Sequence, residues 1–376
     1  MFSGWRRYAI IVLLVALLAI RIWRNYDRLP DKAPVPSFSG DSTSLRDTVI
    51  VPTLDTPVAA GKNVIWCSSF QIAWDRLKND VVKAPVQVKG AETVAKRLNE
   101  APQSEKDLMP ESYYAAAGYI NKGIADQVRS AMAQKFPAVA PPQFNAPPEA
   151  VVAYAYMAAD VKFTIPFFEN RKELVFKSST GEGTAVSSFG VRAEDDYAYY
   201  QLRKQVGLLY SKYRENAPRG LEEFVVDPCR DSSPNQVLLA CIKPEATLRE
   251  TVAALEQRLA SSTGDRHRET LGPNDVILVP NVLWEITHHF RELEGKDKLL
   301  SNPGFEGLYL DTALQAIHFR LDRCGAELAS EAKVLYMPIP TYYVFDRPFL
   351  IYMKRRDAKE PFFVMWVANA ELLSKR

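Results

Sequence analysis

Cysteine and histidine are scarce in this chain, four of each in 376 residues. Cys67, Cys229, Cys241 and Cys324 are too few for a disulfide-dense scaffold and lack the close paired spacing of a zinc site. Cys229 and Cys241 stay open between a disulfide in an exported domain and two buried thiols. An excess of one charge is also missing: Lys plus Arg is 47 and Asp plus Glu is 45, a formal net charge of +2. There is therefore no electrostatic footprint for nucleic acid. The sequence has no G-x-S-x-G nucleophile elbow, no H-E-x-x-H zinc helix, no G-x-x-x-x-G-K phosphate loop and no G-x-G-x-x-G after a strand. Gly181 and Gly183 in "TGEG" read as turn residues. These absences argue against an enzyme and imply no cofactor and no metal.

What is present begins with an apolar N-terminus, "MFSGWRRYAIIVLLVALLAIRIW". A short basic stretch, 1–7, carries Arg6 and Arg7, and an uncharged run from Tyr8 to Ile20 resumes after Arg21. Residues 8–23 read as a signal-anchor or transmembrane helix, with Arg21 snorkelling. Ala16 and Ala19 are three apart and form no small-x-small cleavage site, which favours a retained anchor. Arg21, Arg24, Arg28 and Lys32 outnumber Arg6 and Arg7, and on charge alone this would place the following chain in the cytoplasm. Residues 24–62, rich in Pro, Ser and Asp, read as a tether. With 47% hydrophobic residues overall, residues 63–376 can bury a sizeable core.

Within that domain helical patterns come first and strand patterns later. "NVIWCSSFQIAWDRLKNDVV" (63–82) predicts a helix capped by Ser68 or Ser69, and 91–136 reads as mostly helical. From "AVVAYAYMAADVKFTIPF" (150–167) onward the strand period of two dominates, up to "ALQAIHFRLD" (313–322), "RPFLIYMKRR" (347–356) and "EPFFVMWVANAELL" (360–373). A helix is expected over 247–262 and another over "EITHHFRELEG" (285–295). The latter would align Glu285, His288 and Glu292 on one solvated face. The pattern predicts an α+β fold, an N-terminal helical region followed by large, mostly antiparallel sheets.

Two stretches near the C-terminus, "ALQAIHFRLDRCGAELASEA" and "VFDRPFLIYMKRRDAKEPFFVMWVANAEL", resemble the end of a serpin, the fold of the suicide inhibitors of serine proteases. Gly325 and Glu327 match the family's hinge glycine and glutamate, and Phe345, Pro348 and Phe349 match its closing Phe-x-x-x-Pro-Phe-type motif. Weaker likeness runs upstream through "VILVPNVLWEITHHFREL", "DVKFTIPFFENRKELVF" and "NVIWCSSF", so the resemblance covers 63–376 in order. It implies a long central strand, a hinge (Gly325, Ala326, Glu327, Leu328, Ala329, Ser330), then an exposed reactive loop that in inhibitors inserts into the sheet after cleavage. It also implies an exported, periplasmic or extracellular domain, because most of the family is secreted.

Ala326, Leu328, Ser330, Ala332 and Val334 share one parity and are small or apolar, as an inserting strand requires. Several residues depart from an inhibitor's. Arg323 and Cys324 replace an acidic pair, the Thr and the alanine run are missing, and Leu328 is bulky. The candidate scissile region spans Lys333, Val334, Tyr336, Met337 and Pro338. A bond at Met337–Pro338 is a poor protease substrate because proline lacks the backbone N–H and fixes φ. In the sheet-opening region Cys67, Ala155, Phe163 and Gln315 stand where the family has Ser, Asn, Trp and His, which removes its hydrogen-bonded latch. The resemblance therefore implies a membrane-tethered, non-inhibitory binding or scaffold protein with a protease or other protein as partner. The alternative is an inhibitor acting by loop insertion.

Overall fold

The segment 310–321 alternates Ala313, Gln315, Ile317, Phe319 and Leu321 with Ala316, His318 and Arg320, and that period of two makes a strand with one apolar face. The computed structural model describes residues 35–192, 198–215, 217–261, 269–323 and 340–376. In it this strand, β15 (Leu310–Leu321), is the middle of a five-stranded sheet. The order is β1 (Phe38–Asp41), β14 (Val282–His289), β15, β5 (Val151–Asp160) and β4 (Tyr113–Tyr119).

A second sheet of seven strands runs β10 (Gly207–Arg214), β11 (Ala217–Asp227), β12 (Asn235–Cys241), β17 (Phe349–Arg355), β18 (Phe363–Val367), β3 (Asn63–Cys67) and β2 (Thr48–Ile50). The inner faces of the two sheets share one core: Phe319 of β15 stacks on Phe363 of β18, centroids 4.7 Å apart and planes within 7°. "FVMWV" in β18 is apolar throughout because its other face is also covered, by Leu248, Val252 and Leu255 of helix α5 (Leu248–Ser261). A third sheet runs β16 (Tyr342–Val344), β13 (Val276–Pro280), β9 (Ser188–Val191) and β6 (Phe168–Glu169). The "TGEG" turn joins the hairpin β7 (Leu174–Lys177) and β8 (Gly183–Val186), with Gly181 at φ 90°.

Among the described residues four shorter α-helices complete the fold. Helix α1 (Ser69–Arg76) follows β3 directly and packs Phe70 against Phe290, centroids 4.1 Å apart. Ser68 is its N-cap residue but makes no side-chain capping bond. Helices α2 (Glu92–Glu100) and α3 (Ile124–Lys135) come next, α3 covering the outer face of the five-stranded sheet with Ile124, Val128 and Met132 against Val152, Tyr154 and Tyr156. Helix α4 (Ala198–Gln205) precedes β10.

The architecture is α+β, but three details differ from the sequence reading. Segment 285–295 is not a helix: β14 alternates Trp284, Ile286 and His288 with Glu285, Thr287 and His289, and pairing with β15 overrides the helical spacing of its charges. Tyr113–Tyr119 is also a strand, its alanines fitting between the main core and the cluster under α3 despite their helix propensity. The reading of 24–62 as a tether fails from Pro36 onward, where the folded unit Pro36–Arg376 begins. Phe38–Asp41 adds parallel to β14, Thr48–Ile50 adds parallel to β3, and buried Asn63 accepts from the Ala368 and Asn369 amides. Among the described residues the sheets are mostly antiparallel, as expected, with four parallel pairings: β1 with β14, β2 with β3, β5 with β15 and β13 with β16.

Gly190 on β9 marks the tightest backbone approach: a Cβ there would lie 1.8 Å from the Ile277 carbonyl oxygen. Gly190→Ala must push β9 off β13 and is expected to cost about 3 kcal/mol or more, read as a lower urea midpoint. An unchanged midpoint would contradict that approach.

Candidate functional site

The chain leaves the middle of one sheet and returns at the edge of another. At the end of β15 the Arg320 carbonyl accepts from the Val161 amide at 3.0 Å, and the Arg323 carbonyl accepts from the Phe167 amide at 3.0 Å. On return, the Thr341 amide donates to Asp275 at 2.9 Å and the Phe345 amide to the Leu278 carbonyl at 2.9 Å, setting β16 parallel to β13. Phe345 and Phe349 are fully buried with ring centroids 5.2 Å apart; Phe345 also meets Phe224 at 4.9 Å. Half-buried Pro348 lies between them in sequence, and its carbonyl faces the Cys241 thiol at 3.7 Å. The residues expected to form a hinge, Gly325, Ala326, Glu327, Leu328, Ala329 and Ser330, and the candidate scissile residues Lys333, Val334, Tyr336, Met337 and Pro338, lie outside the described residues, as does the anchor expected at 8–23.

Three of the four residues expected in a sheet-opening region, Cys67, Ala155 and Gln315, meet on the inner face of the five-stranded sheet. Gln315 is fully buried; its Nε2 donates to the Cys67 carbonyl at 3.0 Å and to Ser69 Oγ at 2.9 Å. Ala155 is its registered neighbour on β5. Cys67 Sγ lies 3.4 Å from Ser69 Oγ, and burial pushes its thiol up to about 11, so it is inert as a nucleophile. A polar tie therefore exists where the sequence reading had the latch removed: Gln315 reaches across to the start of α1 and Ser69 accepts. The tie is incomplete, since Gln315 Oε1 and Ser68 Oγ are buried without a partner. Phe163 sits apart, packed on Phe167 at 4.8 Å, next to the residue that holds the Arg323 carbonyl.

The histidines of this sheet lie on opposite faces, as the period of two in β14 and β15 requires. On the inner side His288 Nδ1 is 2.7 Å from Ser42 Oγ and its ring meets Phe290 edge-on. Burial drives His288 down to about 4, against an upward pull from Asp41 and with further lowering by His289. His289 pairs with buried Glu294 at 2.8 Å, and Glu294 also takes Arg291 at 3.0 Å. On the outer side His318 lies between Asp160 at 3.0 Å and Glu285 at 3.3 Å. Among the described residues no group of three His, Cys, Asp or Glu side chains could hold a metal. Cys229 and Cys241 are free and buried. A surface cleft lined by Lys106, Asp107, Arg355, Asp357, Lys359 and Glu360 neutralises itself, with Arg355 bound twice to Asp357 at 2.9 and 2.6 Å.

No protein-family model and no curated protein matches the chain. Among solved structures, the chain is similar to native protease nexin-1 crystallised with heparin, with 11% identity, 82% of this chain and 93% of that chain covered, and a TM-score of 0.48. It is similar to uncleaved ovalbumin with 11% identity, 82% and 94% covered, and a TM-score of 0.47. A third similarity is to Manduca sexta serine protease inhibitor (serpin) 12, with 12% identity, 84% and 94% covered, and a TM-score of 0.47.

The depressed His288 predicts acid sensitivity. Between its folded value near 4 and the ordinary 6.5, the unfolded chain binds the proton and the folded chain does not, so stability rises with pH across that window. The stabilisation is complete above 6.5 and is lost as the pH falls through 4, on the order of 3 kcal/mol in all. His288→Asn is expected to flatten this part of the denaturation profile. A profile as steep as that of the unaltered protein would contradict the assignment.

Proposed function

We propose that this chain is a membrane-tethered serpin-fold protein whose domain is extracytoplasmic and acts by binding a protein partner rather than by trapping a protease. The observation that carries this reading is the closed ladder between β5 and β15. Ten registered pairs run from Leu310↔Val151 to Arg320↔Asp160, and β14 pairs the other side of β15 from Val282↔Leu321 to His289↔Leu314. The strand that feeds 324–339 is thus held on both sides to its end. The sequence of 323–340 supports the same reading: Arg323 and Cys324 stand where the resemblance has an acidic pair, bulky Leu328 falls in the parity that insertion would bury, and Pro338 and Pro340 follow the bonds nearest the return.

A second reading, loop insertion by an inhibitor, is favoured by one feature. A chain that turns back after β15 runs antiparallel to β15 and, because β5 and β15 are parallel, antiparallel to β5 as well. Insertion would exchange one parallel ladder for two antiparallel ones, which are slightly more stable per residue. The topology therefore permits a gain in hydrogen bonds, and the composition of 324–339 decides whether it is realised.

Limited proteolysis within 324–339 separates the two. On the binding reading the melting temperature after cleavage stays within a few degrees of the intact value and no denaturant-resistant complex forms with a serine protease. A rise of tens of degrees would overturn it in favour of the inhibitor. The tether rests on the apolar run 8–23; no helix among the described residues is long and apolar enough to cross a membrane. The full chain is expected to stay with membranes after an alkaline carbonate wash, whereas residues 36–376 alone are released. Release of the full chain would remove the tether.

A further inference from the structure

We propose that His318 is a pH-operated clasp on the outer face of the five-stranded sheet: protonated, it ties β14 and β5 to β15 at once, and neutral, it lets go of one of them. The geometry makes this an all-or-half contact. Glu285 on β14 is the registered partner of His318, and its Oε1 lies 3.3 Å from Nδ1. On the other side His318 is registered with Ala158, and two residues further along β5 Asp160 places Oδ1 3.0 Å from Nε2. Both ring nitrogens therefore face carboxylates. An imidazolium can donate to both, whereas a neutral imidazole has a single N–H and must turn a lone pair towards the other carboxylate. Ser39 on β1 donates to Glu285 at 3.2 Å, so the array Ser39–Glu285–His318–Asp160 crosses four adjacent strands. It is independent of the function proposed above.

Other groups around the ring shift the balance without replacing it. On β15 itself Arg320 is bound to Asp322 at 2.7 Å. From just beyond β5, Lys162 acts on Asp160; on β5, burial, with Glu285 and Asp160 nearby, raises the Tyr156 phenol to about 12, so it carries no charge here. On β14, His289 is engaged by Glu294, and His288 faces the inner side beside Ser42, with Asp41 pulling His288 upward against its burial. The Asp160 hydrogen bond raises His318 above its ordinary value of 6.5, burial opposes the rise, and Glu285 adds to it. Burial would raise Asp160, but the bond and charge of His318, with Arg320 and Lys162, leave it below its ordinary 3.8.

The signs define a window. The raised histidine contributes stability that is complete below 6.5 and is lost as the pH climbs through its folded value. The lowered aspartate contributes stability that is present above 3.8 and is lost as the pH falls through its own folded value. The clasp is fully closed between those limits and loosens on the alkaline side. His288 acts in the opposite direction, so the pH profile of the unaltered protein contains both and only variants separate them.

The test uses the full chain. Histidine side-chain NMR should show His318 titrating above 6.5 with both nitrogens protonated at pH 6, and titrating lower in Asp160→Asn. Melting temperatures at pH 6 and pH 8.5 should fall over that interval by a few degrees more in the unaltered protein than in His318→Asn, which cannot change charge. Should His318→Asn fail to fold, Asp160→Asn and Glu285→Gln carry the same comparison and should each reduce the fall. A His318 that titrates at or below 6.5, or a fall of equal size in the variants, overturns the proposal.

Discussion

The parallel ladder between β5 and β15 is the constraint on which the rest of the molecule depends. It places β15 in the interior of a sheet, and its inner residues Ile317 and Phe319 reach the core shared with the seven-stranded sheet. It also fixes where the chain departs, since the Arg320 carbonyl is already bonded to the Val161 amide beyond the end of β5. Interior strands buried on one face have a register set by that face, because a slip of one residue would move Phe319 and Ile317 into water and His318 into the core. The exit at residue 323 and the return at residue 340 are consequently held by separate sheets, and what lies between them is bounded by two rigid ends.

The same strand alternation gives the sheet two polar layers of different character. Beneath it, Gln315 is fully buried and bridges to the Cys67 carbonyl and Ser69, and His288 is kept neutral by burial next to Ser42. These contacts are between uncharged groups, as a poorly solvated site requires. Above it, Asp160 and Glu285 are partly exposed and flank His318, so a charged array is tolerated there. The N-terminal arm touches both layers: Ser42 reaches the inner histidine and Ser39 the outer carboxylate. The arm is therefore part of the sheet's edge, which it covers with a strand of its own.

The fold was legible where one physical signal dominated. The alternation in 310–321 and the continuous apolar runs in β17 and β18 identify strands without ambiguity, and Phe345 and Phe349 stand out as a buried pair. Segment 285–289 was misread because Glu285, His288 and Glu292 fit helical spacing, while Trp284, Ile286 and His288 also alternate with Glu285, Thr287 and His289 at a period of two, and the deciding partner, β15, lies about thirty residues downstream. The polyalanine stretch in β4 misled through propensity alone. Residues 36–62 look like a linker by composition, yet a strand added at a sheet edge needs few apolar side chains because its backbone makes the bonds. Gln315 and Cys67 were singled out as replacements for a lost latch, whereas the replacement itself is a tie; that depends on Ser69, whose role is visible only once α1 is set against β15. The His318 array could not be read from the chain at all, since Asp160, Glu285 and Ser39 come from three distant segments.

In the resting protein β15 is paired with β5 over Leu310–Arg320 and with β14 over Leu314–Leu321. Amide hydrogen exchange on the full chain measures this directly. Residues 151–160 and 310–321 should exchange slowly throughout, as slowly as the interior strands 349–355 and 363–367 of the seven-stranded sheet. Rapid exchange along the facing edges of 151–160 and 310–321, with the 349–367 region protected, would show that the two strands part readily and would contradict the account.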